Sequence, residues 1–281
     1  MRFWKMHGLG NDYIVIDDRR QGVAEEKLPR LAQKLCRRRF SVGADGLLIV
    51  QNSKSLDFKM RIFNADGSEA QMCGNGIRCI AKYCYDNGIV SKKLMNVETL
   101  AGTRCVEVLT EGKSLVEVRA DMGPPSFRRR DIPMSGKGEC VDEPIVVEGN
   151  NLKITCVSMG NPHCVTFVHD LESFPVHEVG RRLEKHRYFP EGTNVEFVVV
   201  KDTETISVRT WERGVGETTA CGTGACASVA AAYRLGKTGK KVKVNLLGGN
   251  LLVELGDSVT LEGPVEKVFE GQLFSDDPVV C

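Results

Sequence analysis

The chain has 281 residues, 42% hydrophobic and 27% charged, a globular composition long enough for one large domain or two medium ones. A net charge of +1 supplies no global field to draw nucleic acid, an anionic membrane surface or a polyanionic partner. No apolar stretch approaches a membrane span, and the N-terminus lacks the apolar core of a secretory signal, so the default expectation is the reducing cytoplasm.

Along the chain, residues 3–6 and 13–17 read as strands around the turn Gly8-Leu9-Gly10-Asn11. Residues 25–37 place Leu28, Leu31, Ala32 and Leu35 on one helical stripe. Strands are expected at 47–50 and 58–63, then a helix over 74–87 closed by Asn87-Gly88. Strands at 104–109 and 115–119 meet at Glu111-Gly112. Residues 122–127, Met-Gly-Pro-Pro-Ser-Phe, break both periodicities and read as a linker. The second half repeats the order: strands near Val146, Ile154 and Val165, a helix over 176–185, and strands at 195–200 and 206–211. An Ala-rich helix over 223–235 follows, and a β-rich end over 242–261 turns at Gly248-Gly249.

Three local matches make this a repeat rather than a coincidence of order. Gly160-Asn161 follows Gly10-Asn11 by 150 residues, and Phe189-Pro190-Glu191-Gly192-Thr193-Asn194 follows Phe40-Ser41-Val42-Gly43-Ala44-Asp45 by 149. Cys221-Gly222-Thr223-Gly224 follows Cys73-Gly74-Asn75-Gly76 by 148. Recurrent turn residues would account for the first two matches but not for a matched cysteine at a matched helix start.

The eleven cysteines include no C-x-x-C pair, and an odd count in a reducing compartment argues against a disulfide framework. Nine of them read as small buried hydrophobes, Cys79, Cys84 and Cys226 among them. Cys73 and Cys221 stand apart because each precedes a glycine-rich helix N-terminus. Unsatisfied amides and the dipole there favour an anion, which would lower a thiol pKa or cradle a carboxylate. Two such thiols suit inversion at a carbon acid: one removes the α-proton from one face and the other delivers a proton to the opposite face. The amides would stabilise the charge that develops on the carboxylate.

At Met72-Cys73-Gly74-Asn75-Gly76 and Ala220-Cys221-Gly222-Thr223-Gly224 the sequence resembles the diaminopimelate epimerase family. The resemblance extends to Lys5-Met6-His7-Gly8-Leu9-Gly10-Asn11-Asp12-Tyr13, Gly160-Asn161-Pro162-His163, Gly192-Thr193-Asn194-Val195 and Glu212-Arg213-Gly214-Val215-Gly216-Glu217-Thr218, and so covers essentially the whole chain. It implies interconversion of LL- and meso-diaminopimelate for lysine and peptidoglycan synthesis, without PLP, metal or other cofactor. It implies an α/β (α+β) fold of two pseudo-symmetric domains. Each would be a curved mixed or antiparallel sheet wrapped around a central helix, with the active site in the cleft between them. The expected domains are 1–121 plus 267–281, carrying Cys73, and 122–266, carrying Cys221.

By the same resemblance Cys73 and Cys221 are the proton-transferring pair. Asn11, Asn64, Asn161, Asn194, Glu212 and Arg213 grip the distal amino-acid head, and Gly74, Asn75, Gly222 and Thr223 surround the reacting carboxylate. Some members carry Gln in the loop occupied here by Gly43-Ala44-Asp45-Gly46, so that contact is not carried over. His163 is a candidate orienter of Cys73 against a structural role, and Trp211 reads as core. Expected partners are a small-molecule substrate and a second copy in a homodimer. Two other readings share the paired cysteines: a proline or hydroxyproline racemase, disfavoured by the distal-head set, and a redox-sensing dithiol protein.

Overall fold

The computed structural model describes residues 1–20, 22–112 and 114–274. The end of the expected C-terminal tail, with Cys281, lies outside the described residues. Backbone contacts divide the chain into one unit of Met1–Ala120 joined by the chain from Gly263, and a second of Asp121–Glu262.

In the first unit β1 (Arg2–Gly8) and β2 (Asn11–Asp17) form an antiparallel hairpin. Its two-residue turn, Leu9-Gly10, has positive φ at both positions (57° and 87°), the handedness that matches strand twist. Helix α1 (Leu28–Leu35) crosses to β3 (Gly46–Gln51), which lies parallel to β2. Strands β4 (Phe58–Asn64) and β5 (Glu69–Ala70) add antiparallel, and α2 (Gly74–Asp86) leads to β6 (Leu94–Thr99), parallel to β4. The hairpin β7 (Gly102–Glu111) and β8 (Ser114–Gly123) completes the run.

The second unit repeats these pairings. After β9 (Glu143–Val147), the hairpin of β10 (Asn150–Ser158) and β11 (Pro162–Phe167) is followed by α3 (Val176–Glu184). Strand β12 (Asn194–Val200) is parallel to β11, and β13 (Thr205–Glu212) and β14 (Gly216–Thr218) add antiparallel. Helix α4 (Gly222–Arg234) leads to β15 (Lys241–Leu246), parallel to β13, and to the antiparallel β16 (Gly249–Leu255) and β17 (Val259–Pro264). The final strand, β18 (Glu266–Gln272), runs antiparallel onto β1, as β9 does onto β10. The duplication read from three short motifs is therefore present in the pairing of each unit, and the fold is a sheet-dominated mixture of α and β with two similar halves.

Burial explains the layering. The buried stripe Leu28, Leu31, Ala32 and Leu35 of α1 packs with Ile14, Ile16, Leu47, Ile49 and Phe63 on one face of the first sheet. Helix α2 packs against β1, β2, β3, β4 and β7, and its residues Gly74–Ala81 are all buried. Covered on both faces, β3 reads as a continuous apolar run, Leu47-Leu48-Ile49-Val50, every residue buried. Helix α4 is likewise buried nearly all round, and its Ala-rich sequence lets the sheet approach closely. Val176, Val179 and Leu183 of α3 pack on that unit's other core, with Ile154, Val195 and Phe197.

The helices fall where periodicity placed them, with α1 preceded by a single 3-10 turn, Glu25–Lys27. Strand β6 was not expected, although its burial alternates residue by residue. The presumed linker is shorter than its composition suggests, because β8 continues to Gly123 and Ser126 bridges to Ser158. No helix among the described residues is long and apolar enough to cross a membrane.

Candidate active site

Each central helix begins on a cysteine. Cys73 is the N-cap of α2, in extended conformation (φ −145°, ψ 122°), and its Sγ accepts the Gly76 amide at 3.4 Å. Cys221 caps α4 at φ −121° and ψ 115°, and its Sγ accepts the Gly224 amide at the same 3.4 Å. A side-chain acceptor for the third helical amide is the usual office of Ser, Thr or Asp. Here sulfur performs it twice, 148 residues apart.

The space beneath the sulfur is tight at both donating glycines and excludes a side chain at Gly224. A Cβ on Gly224 would stand 2.6 Å from Glu196 Oε1 and 3.3 Å from Cys221 Sγ. On Gly76 the nearest atom would be Leu48 Cδ2, at 3.2 Å. Leu48 and Glu196 occupy matching places in β3 and β12, so one sulfur has an apolar floor and the other a carboxylate.

In the first unit Tyr13 Oη lies 2.9 Å from Cys73 Sγ and 2.7 Å from Asn11 Oδ1. Asn11 Oδ1 also accepts from Asn75 Nδ2 at 3.2 Å, while Asn11 Nδ2 donates to Asp45 at 2.9 Å. Asn75 Oδ1 in turn accepts from Arg78, whose guanidinium is wholly buried and also donates to the Gly74 carbonyl. The loop with no assigned contact thus has a local role: Asp45 fixes Asn11, and Arg38 bridges Asp45 to Asp12. Arg38 and Lys5 hold Asp12 down at about 2 although burial acts in the opposite sense.

In the second unit His163 and Glu196, both fully buried, meet at 2.8 Å through Nδ1 and Oε1. His163 Nε2 lies 3.0 Å from Asn161 Oδ1, and Asn161 Nδ2 donates to Thr223 Oγ1 at 3.2 Å. Thr223 Oγ1 is 3.5 Å from Cys221 Sγ. Burial, followed by the carboxylates of Glu212 and Glu196, pushes the Cys221 thiol well above its ordinary range. This corrects the expectation of a pKa lowered by the helix start. The Gly224 amide and Thr223 do act downward, but desolvation and two negative neighbours outweigh them.

The first unit therefore brings together Asn11, Cys73, Gly74 and Asn75, and the second brings together Asn161, Cys221, Gly222 and Thr223 with His163. Glu212 accepts from the Thr218 hydroxyl at 2.6 Å. Asn194 donates to the Pro162 carbonyl and accepts the Arg213 amide, while the exposed Arg213 guanidinium reaches the Glu191 carbonyl. Asn64, at the end of β4, contacts Ser68. Trp211 belongs to the core as read, donating to Glu184 at 2.8 Å. Sequence reasoning missed Tyr13, Glu196 and Arg78. Tyr13 could have been found, since it sits two residues after Asn11 as His163 does after Asn161.

The fold is shared with solved structures whose sequences have diverged far from this one. A hydroxyproline epimerase from Agrobacterium vitis matches at a TM-score of 0.75 and 15% identity, covering 99% of this chain and 94% of that one. A phenazine biosynthesis protein of the PhzF family from Bacillus anthracis matches at 0.72 and 16%, covering 98% and 99%. Within that fold the sequence is far more specific. The family model for diaminopimelate epimerase matches residues 3–128 and 155–268. Proteins named diaminopimelate epimerase from Pelotomaculum thermopropionicum and Caldanaerobacter subterraneus subsp. tengcongensis are each 51% identical. They cover 97% of this chain and 98% and 99% of their own lengths. The chain belongs to the diaminopimelate epimerase family and is an isomerase of the epimerase class.

Proposed function

We propose that this chain interconverts LL- and meso-2,6-diaminopimelate, for lysine and peptidoglycan precursor synthesis, by moving one α-proton between Cys73 and Cys221. The observation that carries the reading is the repeated cap: two cysteines, one per unit, each with Sγ on the amide of a glycine three residues on, at 3.4 Å. One sulfur, as thiolate, takes the proton from Cα and becomes a thiol. The electron pair of the broken C–H bond passes into the carboxylate, and the other thiol protonates the opposite face and becomes the thiolate. The reverse reaction uses the same pair with roles exchanged. The units are the two halves of the catalyst, with domain limits near 121 and 266, and each supplies one sulfur.

A carbanion formed without an electron sink needs its charge met by fixed dipoles. The amides at the starts of α2 and α4, with Asn75 and Thr223, are the groups proposed to hold the reacting carboxylate. Asn11, Asn64, Asn161, Asn194, Glu212 and Arg213 offer amides, a carboxylate and a guanidinium to the distal ammonium and carboxylate. Proline has no such second head, which is why that substrate fits this set poorly. The proposal includes a homodimer, the commonest closed assembly, and a cytoplasmic setting that keeps the thiols reduced.

The test is chiral separation of product after reduced enzyme acts on LL-diaminopimelate. Conversion to the meso form that disappears in both Cys73→Ser and Cys221→Ser supports the reading; conversion by either variant at the wild-type rate contradicts it.

A further inference from the structure

Tyr13 stands where a single hydrogen in the first half-site has two claimants. Its hydroxyl lies 2.9 Å from Cys73 Sγ and 2.7 Å from Asn11 Oδ1. The Asn11 amide cannot turn round to change this, because its Nδ2 is committed to the Asp45 carboxylate at 2.9 Å. Asn11 Oδ1 has a second donor in Asn75 Nδ2, so it stays satisfied when the phenol hydrogen points elsewhere. The ring itself is seated tightly: a Cβ on Gly46 would stand 3.0 Å from Tyr13 Cε1, and the residue is only 5% exposed.

We propose that Tyr13 is a positioning residue for Cys73, a hydroxyl rotor that serves the sulfur in both protonation states of the epimerisation. With Cys73 a thiol, S–H donates to the phenol oxygen and the phenol O–H donates to Asn11. When the sulfur is a thiolate, the phenol hydrogen swings to it and Asn75 alone serves Asn11. No proton is gained or lost by Tyr13; one O–H bond rotates. The phenol remains protonated throughout, since burial and then the Cys73 charge push its ionisation well above 10. A two-base enzyme needs each sulfur to act as acid in one direction and base in the other; the rotor gives the sulfur a partner in both forms, and the charge-assisted O–H···S⁻ bond to the thiolate is the stronger of the two.

The second half-site has no equivalent device among the described residues. The matching ring, His163, contacts Asn161 Oδ1 in the same way but gives its other nitrogen to Glu196, and the hydroxyl near Cys221 is Thr223's, at 3.5 Å. The inference rests on Cys73 exchanging protons with substrate, yet half of its test needs no substrate.

Tyr13→Phe keeps the ring and removes only the rotor. Iodoacetamide labelling of the Cys73 peptide, followed by mass spectrometry across pH, reads the thiolate directly. Among the described residues, Asp45 and Cys79 also act on the Tyr13 phenol and Arg78 braces Asn75, and all three are unchanged by the substitution. The expected result is a Cys73 labelling midpoint about one pH unit higher, a Cys221 midpoint unmoved, and kcat about tenfold lower in both directions with KM within about twofold. An unmoved Cys73 midpoint overturns the inference whatever happens to kcat, because a merely structural hydroxyl would not tune the sulfur. Should the variant fold poorly, uniform 3-fluorotyrosine labelling of the wild type supplies a stronger donor, and the Cys73 midpoint must then fall; a static midpoint overturns the inference equally. A wild type that does not epimerise diaminopimelate would sink the proposed function while leaving the labelling result to decide this one.

Discussion

Arg209 grips Glu217 through two parallel hydrogen bonds, Nε to Oε1 at 2.6 Å and Nη2 to Oε2 at 2.9 Å, and Arg61 grips Glu69 at the same two distances 148 residues earlier. Each fork ties a long strand, β13 or β4, to the short strand that leads into a capping cysteine. The bidentate geometry fixes direction as well as distance, so the approach to each sulfur is set by a matched clamp. Glu217→Gln, which keeps the shape and removes the charge, is expected to destabilise the chain by about 1 kcal/mol in urea unfolding, since it leaves a part-buried Arg209 without its counter-ion. A midpoint unchanged from wild type would show that the clamp is ornamental.

The two glycines that donate to sulfur should not respond alike. Gly224→Ala drives a methyl to 2.6 Å from Glu196 Oε1 and 3.3 Å from Cys221 Sγ, so it should cost about 1–3 kcal/mol and most of the activity. Gly76→Ala meets the end of Leu48 at 3.2 Å and only ordinary contacts beyond it, Cys73 Cβ at 3.4 Å and Tyr13 Cζ at 3.7 Å, and the gain in helix propensity offsets much of that. Thermal melts of the two variants side by side test the contrast, and equal losses would refute it.

Glu196 should set the acidity of Cys221. It is the third cause raising that thiol, after burial and Glu212, and its Oε1 also holds His163. Glu196→Gln removes the negative charge, so Cys221 should become alkylatable at a pH lower by about half a unit to one unit, with Cys73 unaffected. Site-resolved labelling reads both sulfurs in one experiment; a Cys221 profile that stays in place would mean that Glu196 does not set its acidity, which burial and Glu212 then govern.

Acid should loosen the first half-site through Asp12. Its carboxyl is held at about 2, below the ordinary 3.8, so the folded state binds its proton less readily than the unfolded chain. That contribution to stability is complete above about pH 4 and is lost as pH falls toward about 2. Tm measured over this window should drop less steeply in Asp12→Asn than in wild type. Parallel curves would place the acid sensitivity elsewhere.

Much of this was legible in advance, and the exceptions have physical causes. The helix starts, the duplicated order and Cys73 and Cys221 are local in sequence, because caps, turns and periodicity are written within a few residues. Tyr13, Glu196 and Arg78 were not found because their importance lies in what the fold sets beside them. Glu196 reads as one polar residue inside the apolar strand 195–200, and only the helix packed above it shows that its carboxylate floors a sulfur. Arg78 lies on a stripe that periodicity would call core, and its guanidinium turns back to brace Asn75 rather than out to solvent. The acidity of Cys221 was misjudged for the same reason: a helix N-terminus can be read from sequence, whereas the carboxylates facing it cannot.

The central claim is that two different sulfurs handle the proton, and early-time labelling in deuterated water tests it most directly. Reduced enzyme is given LL-diaminopimelate, stopped at low conversion, and the α-deuterium of product and recovered substrate is measured separately. The two-cysteine account predicts meso product carrying one solvent deuterium at the inverted carbon and recovered substrate still protiated, because the base that took the proton is not the acid that returns one. Meso product that retains substrate protium, or recovered LL substrate already deuterated, would mean that one group does both tasks and would contradict it.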